Sequence, residues 1–499
     1  MFGAMLLAAL WLERFVRPRA VGTRRWQGVL LHSLIMTMLF GFFLAISGNM
    51  PVAVLLALSV LGLLSVASNA KYAMLGEPLL FSDLALIVAI FRYPRFYLTA
   101  LSTGQRWILA IGALLLVGAL VLLFVPSLLP HSLGLALLVP CTLVLRLLLK
   151  SALFEGLMPV PDAAGDVARY GLIATLLLYW HRWRYTDNPP ACPATDWEGR
   201  RSGGQPDLLV VVQCESFADP VDLTQDPGQR LDGLARARSL ACQWGDLHVS
   251  GFGAYTMRTE YGVLFGRSEE ALGFRRYDPF LTAGGETSYA LSSRMARCGY
   301  SCLFVHPHDM RFYGRDRLMP AIGFDRLIGQ ENFPPLHPSG HHYVDDRVLG
   351  TSIGEMIASA KGPTFIYAVT MENHGPWGKD RMTGSLGGLG AYLAHLRSSD
   401  DMLLGLIEQL SGTGRTSLLV FFGDHRPSIP GVLEPGGDRH TPYVMLRFSA
   451  DGRIVSGANR RVDLSPDQLH HAILRCVQIE EADPASPRDD APTLNFSQV

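Results

Sequence analysis

The chain has 499 residues, more than one ordinary domain, so two or more folding units are expected. Hydrophobic residues make up 49% and the mean hydropathy is +0.21, values too high for a wholly soluble protein. A net charge of −1 without a long basic run excludes nucleic acid as an expected partner.

Residues 1–150 are mostly Leu, Ala, Val and Phe with scattered Arg, and they are expected to form a helical membrane bundle of about four to five spans. The stretches 27–47, 52–68, 107–126 and 133–149 meet or approach the roughly 20 apolar residues that a spanning helix needs. Residues 1–12 are apolar but short, ending at Glu13, and lack the basic start and small-residue cleavage site of a signal peptide. The 78–92 stretch, broken by Pro78 and Asp83, reads as a helix lying in the interface. Residues 151–205 are expected to hold an interfacial helix and a linker. Its 168–182 segment has a Tyr/Trp/Arg rim, and the linker runs from Asn188-Pro189-Pro190 to Gly203-Gly204. A polar tail is expected over 481–499.

From 206 to 480 short apolar runs alternate with helical patterns, which predicts an α/β domain with a largely parallel central sheet. Four runs stand out. Residues 207–213 end before Glu215, and 302–305 end at His306. Residues 364–370 lead to Glu372, Asn373 and His374, and 417–422 end at Gly423-Asp424-His425. Ligands bind beyond the carboxyl ends of strands in open α/β sheets, so these four ends together predict a site. The seven cysteines are scattered without zinc-finger spacing; Cys214, beside Glu215, reads as a buried filler.

Glu215, Asp424 and His425 offer the mixed oxygen and nitrogen donors that suit manganese, magnesium or zinc. The competing reading makes Asp424 a helix cap and His425 a satisfied loop histidine. The loop Ser250-Gly251-Phe252-Gly253-Ala254-Tyr255-Thr256 precedes a helix start, and its glycines allow close approach to a ligand. A hydroxyl there could attack phosphorus; equally, Thr256 or Thr259 could simply cap the helix.

Taken in order, Glu215-Ser216-Phe217, Thr256 with Glu260 four residues on, His306 with Arg315 nine later, Asn373-His374 and Gly423-Asp424-His425 resemble the lipoteichoic acid synthase/phosphoglycerol transferase family. These are membrane-bound, sulfatase-like members of the alkaline phosphatase superfamily. Lys71-Tyr72, Gly76-Glu77-Pro78-Leu79-Leu80 and Ser82-Asp83-Leu84 also resemble the membrane part of Gram-negative relatives.

The resemblance implies one divalent metal ion, manganese above magnesium or zinc, held by Glu215, Thr256, Asp424 and His425. It makes Thr256 the nucleophile, His306 and His374 catalytic, and Arg315 and Tyr313 substrate-binding. His308 and His440 are lesser candidates, and His341-His342 reads as a loop. Gln213 and Cys214 before Glu215, and Arg426-Pro427 after His425, depart from the family pattern.

The implied reaction moves phosphoglycerol from phosphatidylglycerol to a periplasmic glycan or polyol through a phosphothreonine, with phosphoethanolamine transfer as the alternative. A sulfatase proper would need a Cys/Ser-x-Pro-x-Arg motif, which Thr256-Met257-Arg258 lacks. A non-catalytic membrane assembly protein is the reading from another class. The resemblance places the chain in the bacterial inner membrane with its catalytic domain periplasmic. Arg14, Arg17, Arg19, Arg24 and Arg25, between the first two apolar segments, point the other way by the positive-inside rule.

Overall fold

The structure, a computed structural model, describes residues 1–20, 22–84, 103–194, 204–334, 343–375, 377, 388–429 and 431–478. The 481–499 tail, His341-His342 and most of the 78–92 stretch lie outside the described residues.

The N-terminal part is helical: α1 (Phe2–Leu12), α2 (Trp26–Ser47), α3 (Met50–Leu75), α4 (Thr103–Leu122) and α5 (Leu128–Leu149). Among the described residues α2, α3 and α5 are long and apolar enough to cross a membrane, and α4 carries the shorter apolar stretch Ala110–Leu122. Met36, Phe40 and Leu44 of α2 pack with Ala53, Ala57 and Leu61 of α3 and Met5 and Ala9 of α1. The opposite faces stay apolar: Leu63 is 71% and Leu147 70% exposed, which suits lipid and not water. Helices α2 and α5 cross closely because Gly41 and Gly134 face each other; a Cβ on Gly134 would lie 2.4 Å from Ala45 N.

The 168–182 segment divides at Gly171 between α6 (Ala163–Tyr170) and α7 (Leu172–Arg184). Glu13 pins this break: it accepts a bond from Ile173 N at 3.3 Å and pairs with Arg24. Helix α7 is buried from Leu172 to Leu176, and Tyr179 stacks on Tyr277 of the following domain at 5.6 Å. Arg25 joins the same junction, its main-chain N–H donating to Arg169 O at 2.9 Å. The junction is therefore a packed protein interface.

In the C-terminal part the chain runs through β1 (Leu208–Cys214), α8 (Asp232–Leu240), β2 (Gln243–His248), α9 (Thr256–Phe265) and β3 (Ser301–Val305). It continues through α10 (Arg315–Ala321), β4 (Arg326–Ile328), α11 (Asp346–Ser359), β5 (Thr364–Val369) and α12 (Gly388–Ser411). It closes with β6 (Ser417–Gly423), β7 (His440–Phe448), β8 (Arg460–Arg461) and α13 (Pro466–Gln478). The strands form one sheet in the order β4-β3-β5-β1-β6-β7-β2-β8, parallel from β4 to β6, with β7 antiparallel to both its neighbours.

The side-chain alternation of β1 assigns the two faces. Leu209 and Val211 join a core with Tyr261 and Leu264 of α9 and Leu469 and Ile473 of α13. Leu208, Val210 and Val212 join the other, with Leu234 of α8, Leu349 and Ile353 of α11 and Leu403 and Leu406 of α12. Every residue of β1, β5 and β6 is buried, so their unbroken apolar runs follow from cover on both faces. Each fully buried Val, Leu or Phe contributes about 1.5–3 kcal/mol, which holds the strand ends rigidly in register.

Candidate active site

Strands β1 and β6 lie side by side with Cys214 opposite Gly423, so the next residues, Glu215 and Asp424, leave the sheet together. Gly423 must be glycine here, since a Cβ would sit 1.9 Å from Phe217 O. Ser216 turns the chain with φ 51°, and its N–H donates to Asp424 Oδ1 at 2.8 Å. His425 N donates to the same oxygen at 2.8 Å. Asp424 Oδ1 is thus satisfied, while its buried Oδ2 accepts no hydrogen bond.

Thr256 reaches this corner from α9. Residues Phe252 and Gly253 bridge to Arg426, with Gly253 N donating to Arg426 O at 2.7 Å. Tyr255 then adopts φ 80° and ψ 30°, a left-handed conformation that costs a non-glycine residue about 1–3 kcal/mol. That turn places Thr256 at the first position of α9, where helix N–H groups favour an anion.

The Thr256 hydroxyl lies 3.4 Å from Glu215 Oε2 and 3.5 Å from His425 Nε2. His425 Nε2 is 3.4 Å from Glu215 Oε1 and 3.7 Å from Asp424 Oδ2. His425 Nδ1 is 3.1 Å from Arg426 O, the place for its proton, so the Nε2 lone pair faces the carboxylates.

These side chains fit a divalent cation. Glu215, Asp424 and His425 bring ligand atoms within 4.8 Å of one another, all buried. Oxygens and a nitrogen about 3.4 Å apart have the spacing of tetrahedral ligands at about 2.1 Å from an ion. Burial and the neighbouring Glu215 push the Asp424 carboxyl up to about 7. Burial opposes charge on His425, but Asp424 and Glu215 outweigh it and raise its pKa. A buried carboxylate oxygen without a donor, beside a second carboxylate, is a demand for positive charge.

A second group lies beyond the end of β3. His306 Nδ1 donates to Val369 O at 3.0 Å, and its Nε2 faces Arg315 Nη1 at 3.3 Å. Burial, then the Arg315 charge, hold His306 well below the ordinary histidine range, so it is neutral. Arg315 is 1% exposed and forks onto Glu260, Nε to Oε1 at 3.1 Å and Nη2 to Oε2 at 2.5 Å. Glu260 stands one turn beyond Thr256 on α9, so this buried pair ties the His306 strand end to the Thr256 helix. Tyr313, at φ 57°, holds its ring 5.2 Å from the Arg315 guanidinium.

The remaining candidates divide. His374 is half-buried after β5, with Nδ1 2.7 Å from Gly375 O and 3.4 Å from the Tyr343 hydroxyl. His308 completes a row, its ring 5.8 Å from His306 and 6.0 Å from Tyr343. Glu372 turns away, accepting from Asp346 N at 2.7 Å and facing His395 Nδ1 at 2.9 Å. Asn373 is buried against Ser216 O, and His440 sits between Asp438 and Arg426. Cys214 is fully buried.

Sequence reasoning assigned no role to Glu260, although its spacing from Thr256 was visible. Arg258 and Glu77, both quoted in motifs, likewise carry no role by sequence alone. Arg258 forks onto Glu77, Nη1 to Oε2 at 2.8 Å and Nη2 to Oε1 at 3.0 Å, linking α9 to the segment after α3.

Comparison with known proteins gives this architecture a place. Over 469 residues the chain is 26% identical to the capsular polysaccharide biosynthesis protein RkpI of Rhizobium meliloti, covering 90% of this chain and 86% of that protein. It is 23% identical over 157 residues to lipoteichoic acid synthase 1 of Bacillus subtilis, 29% of this chain and 25% of that one. The solved integral membrane lipooligosaccharide phosphoethanolamine transferase A of Neisseria meningitidis superposes with a TM-score of 0.56 at 13% identity, covering 95% of each chain. Helical membrane part and α/β domain thus recur together in a known fold. The sulfatase family model matches residues 207–479, more than half of the 499 and the whole of the sheet, so the chain belongs to the sulfatase family.

Proposed function

We propose that this chain is a metal-dependent membrane transferase that moves a phosphoglycerol headgroup from phosphatidylglycerol to a glycan or polyol outside the cytoplasm. The observation that carries the reading is the Thr256 hydroxyl, at a helix N-terminus, facing Glu215 and His425 at 3.4 and 3.5 Å.

Glu215, Thr256, Asp424 and His425 would hold the ion, manganese above magnesium or zinc. When bound, it lowers the pKa of a coordinated hydroxyl and neutralises phosphoryl charge. The chain's own residues account for the remainder. Thr256 Oγ1 attacks phosphorus, the P–O bond to diacylglycerol breaks, and the headgroup remains as a phosphothreonine diester. An acceptor hydroxyl then attacks the same phosphorus and releases Thr256. The first N–H groups of α9 stabilise the phosphoryl oxygens. His374 or His306 carries the proton between the leaving and entering hydroxyls; His306 is held neutral, with Nδ1 on Val369 O and Nε2 facing Arg315. Arg315, fixed by Glu260, keeps N–H groups over for substrate, and Tyr313 flanks it.

The glycan acceptor is supported by the likeness to a capsular polysaccharide biosynthesis protein across most of both chains. The apolar outward faces of α2, α3 and α5 support a multi-pass place in the inner membrane, and an exported glycan requires the catalytic domain on the periplasmic side. The test is mass spectrometry of Thr256 after a single turnover with labelled phosphatidylglycerol or phosphatidylethanolamine. A glycerophosphoryl adduct on Thr256 is expected. An ethanolamine adduct would reassign the headgroup, and an unmodified Thr256 with turnover would remove the covalent step. A reporter active only outside the cytoplasm, fused after Val499, should be active.

A further inference from the structure

The strained turn before Thr256 is held from outside the α/β domain. Arg258, one residue beyond Met257, lays its guanidinium 3.8 Å over the Tyr255 ring. Its donors go to Tyr277 O and, as a fork, to both oxygens of Glu77. Glu77 follows α3, the second long apolar helix, whose Lys71 donates to Glu77 at 3.0 Å and sits 5.4 Å from the Tyr255 ring. The end of α3 also touches the loop after β6 and the Thr256 loop itself. Met74 O accepts from the Ser428 hydroxyl at 2.8 Å, and Leu75 packs beside Gly253. The side chains of Arg258 and Glu77 are 6% and 12% exposed, so water competes weakly for the pair. Burial alone would neutralise Glu77, but Arg258 and Lys71 hold its carboxyl down at about 2.

We infer that Glu77 is a positioning residue for the transfer step: through Arg258 and Tyr255 the membrane segment holds the Thr256 loop in its reactive turn. This rests on Thr256 being the nucleophile. No contact between Glu77 and substrate is involved. The membrane part therefore does more than bring the enzyme to lipid, since it completes the catalytic loop.

The experiment uses the full chain in detergent micelles with fluorescent phosphatidylglycerol, following diacylglycerol release together with amide hydrogen exchange. Glu77→Gln should lower kcat about tenfold to a hundredfold while KM stays within about threefold, because a displaced nucleophile loses orientation and not binding. Glu77→Asp should recover part of the lost rate. Exchange over residues 251–259 should quicken in Glu77→Gln, with the β-sheet amides unchanged. Arg258→Lys, which keeps the charge but loses the fork, repeats both measurements and decides the matter if Glu77→Gln does not fold.

An unchanged kcat, or unchanged exchange over 251–259, overturns the inference. So does a loss of activity that merely parallels a loss of sheet protection. Thr256→Ala separates the two claims. If Thr256→Ala still releases diacylglycerol at the wild-type rate, the nucleophile assignment falls. If the wild type releases none, the donor assignment falls, and the exchange measurement still decides the brace.

Discussion

Thr259 donates its hydroxyl proton to the main-chain oxygen of Asp424 at 2.7 Å, fastening α9 to the end of β6. Thr256, three residues earlier, points its hydroxyl at Glu215 and His425. Two threonines on one helix thus have separable duties. Thr256→Ala should abolish transfer with the melting temperature unchanged. Thr259→Val should cost about 1–3 kcal/mol, because it leaves a buried carbonyl unpaired, while the covalent step survives. Parallel thermal melts and turnover assays would check both; loss of chemistry in Thr259→Val at full stability would reverse the assignment.

Cation binding should stabilise the fold through the Glu215, Asp424 and His425 corner. At a manganese concentration a hundredfold above Kd the gain is about 2.7 kcal/mol. Asp424→Ala should lose that gain and the bound ion, which calorimetric titration would show. A manganese-dependent rise in melting temperature that persists in Asp424→Ala would place the ion elsewhere.

The Arg315–Glu260 pair is 1% and 0% exposed at its side chains. Glu260→Gln leaves a buried guanidinium without its counter-charge and should cost about 3–5 kcal/mol. Adding Arg315→Met should restore part of the loss, since no orphaned charge then remains. A double-mutant cycle on thermal stability reads this reversal of sign, and additive losses would contradict it.

Acid should weaken the α/β domain through buried neutral histidines. His470 is 1% exposed, faces Val263 O with Nδ1 at 2.8 Å, and is held down to about 3 by burial and then by His471. Released from the fold it protonates near its ordinary pKa, about 6.5. Its share of stability is therefore whole above about pH 6.5 and is lost as pH falls toward 3. The loss is about 2 kcal/mol at pH 5. Melting temperatures at pH 7.5 and 5.0 should converge in His470→Gln relative to wild type. The Arg258–Glu77 brace should add little between pH 7.5 and 5.0, because Glu77, held down at about 2 in the fold, is ionised there in the released chain as well. Its own share is lost only as pH falls below its ordinary value of 4.5.

What could be read from residue order alone was local. The runs that became β1, β3, β5 and β6 are unbroken and apolar because both faces are covered, and a titratable residue after each marks the sheet edge. The antiparallel turn of β7 carries no such mark, since its Thr441–Leu446 stretch is buried like the parallel strands and residue order does not give strand direction. Glu260 could not be assigned, because its partner Arg315 arrives only when the segment after β3 folds over α9. The 168–182 segment shows a subtler ambiguity. An aromatic and arginine rim suits lipid headgroups, but Tyr179 uses it to meet Phe274 and Tyr277 and to donate to Asp166 at 2.7 Å. Composition distinguishes wet from dry; it does not distinguish a bilayer surface from a protein one.

The position of β1 in the sheet also bears on how the enzyme is made. Its two neighbours, β5 and β6, both come later in the chain, beginning at Thr364 and Ser417. During synthesis β1 emerges first and waits, apolar from Leu208 to Val212, until most of the domain has followed. Such long-range pairing slows folding and leaves a sticky strand open to misassociation. The same delay is protective. Glu215 gains Asp424 and His425 only when the chain is out as far as residue 425 of 499, so a chain stalled before that point carries Thr256 without the cluster that, on the proposed function, would arm it.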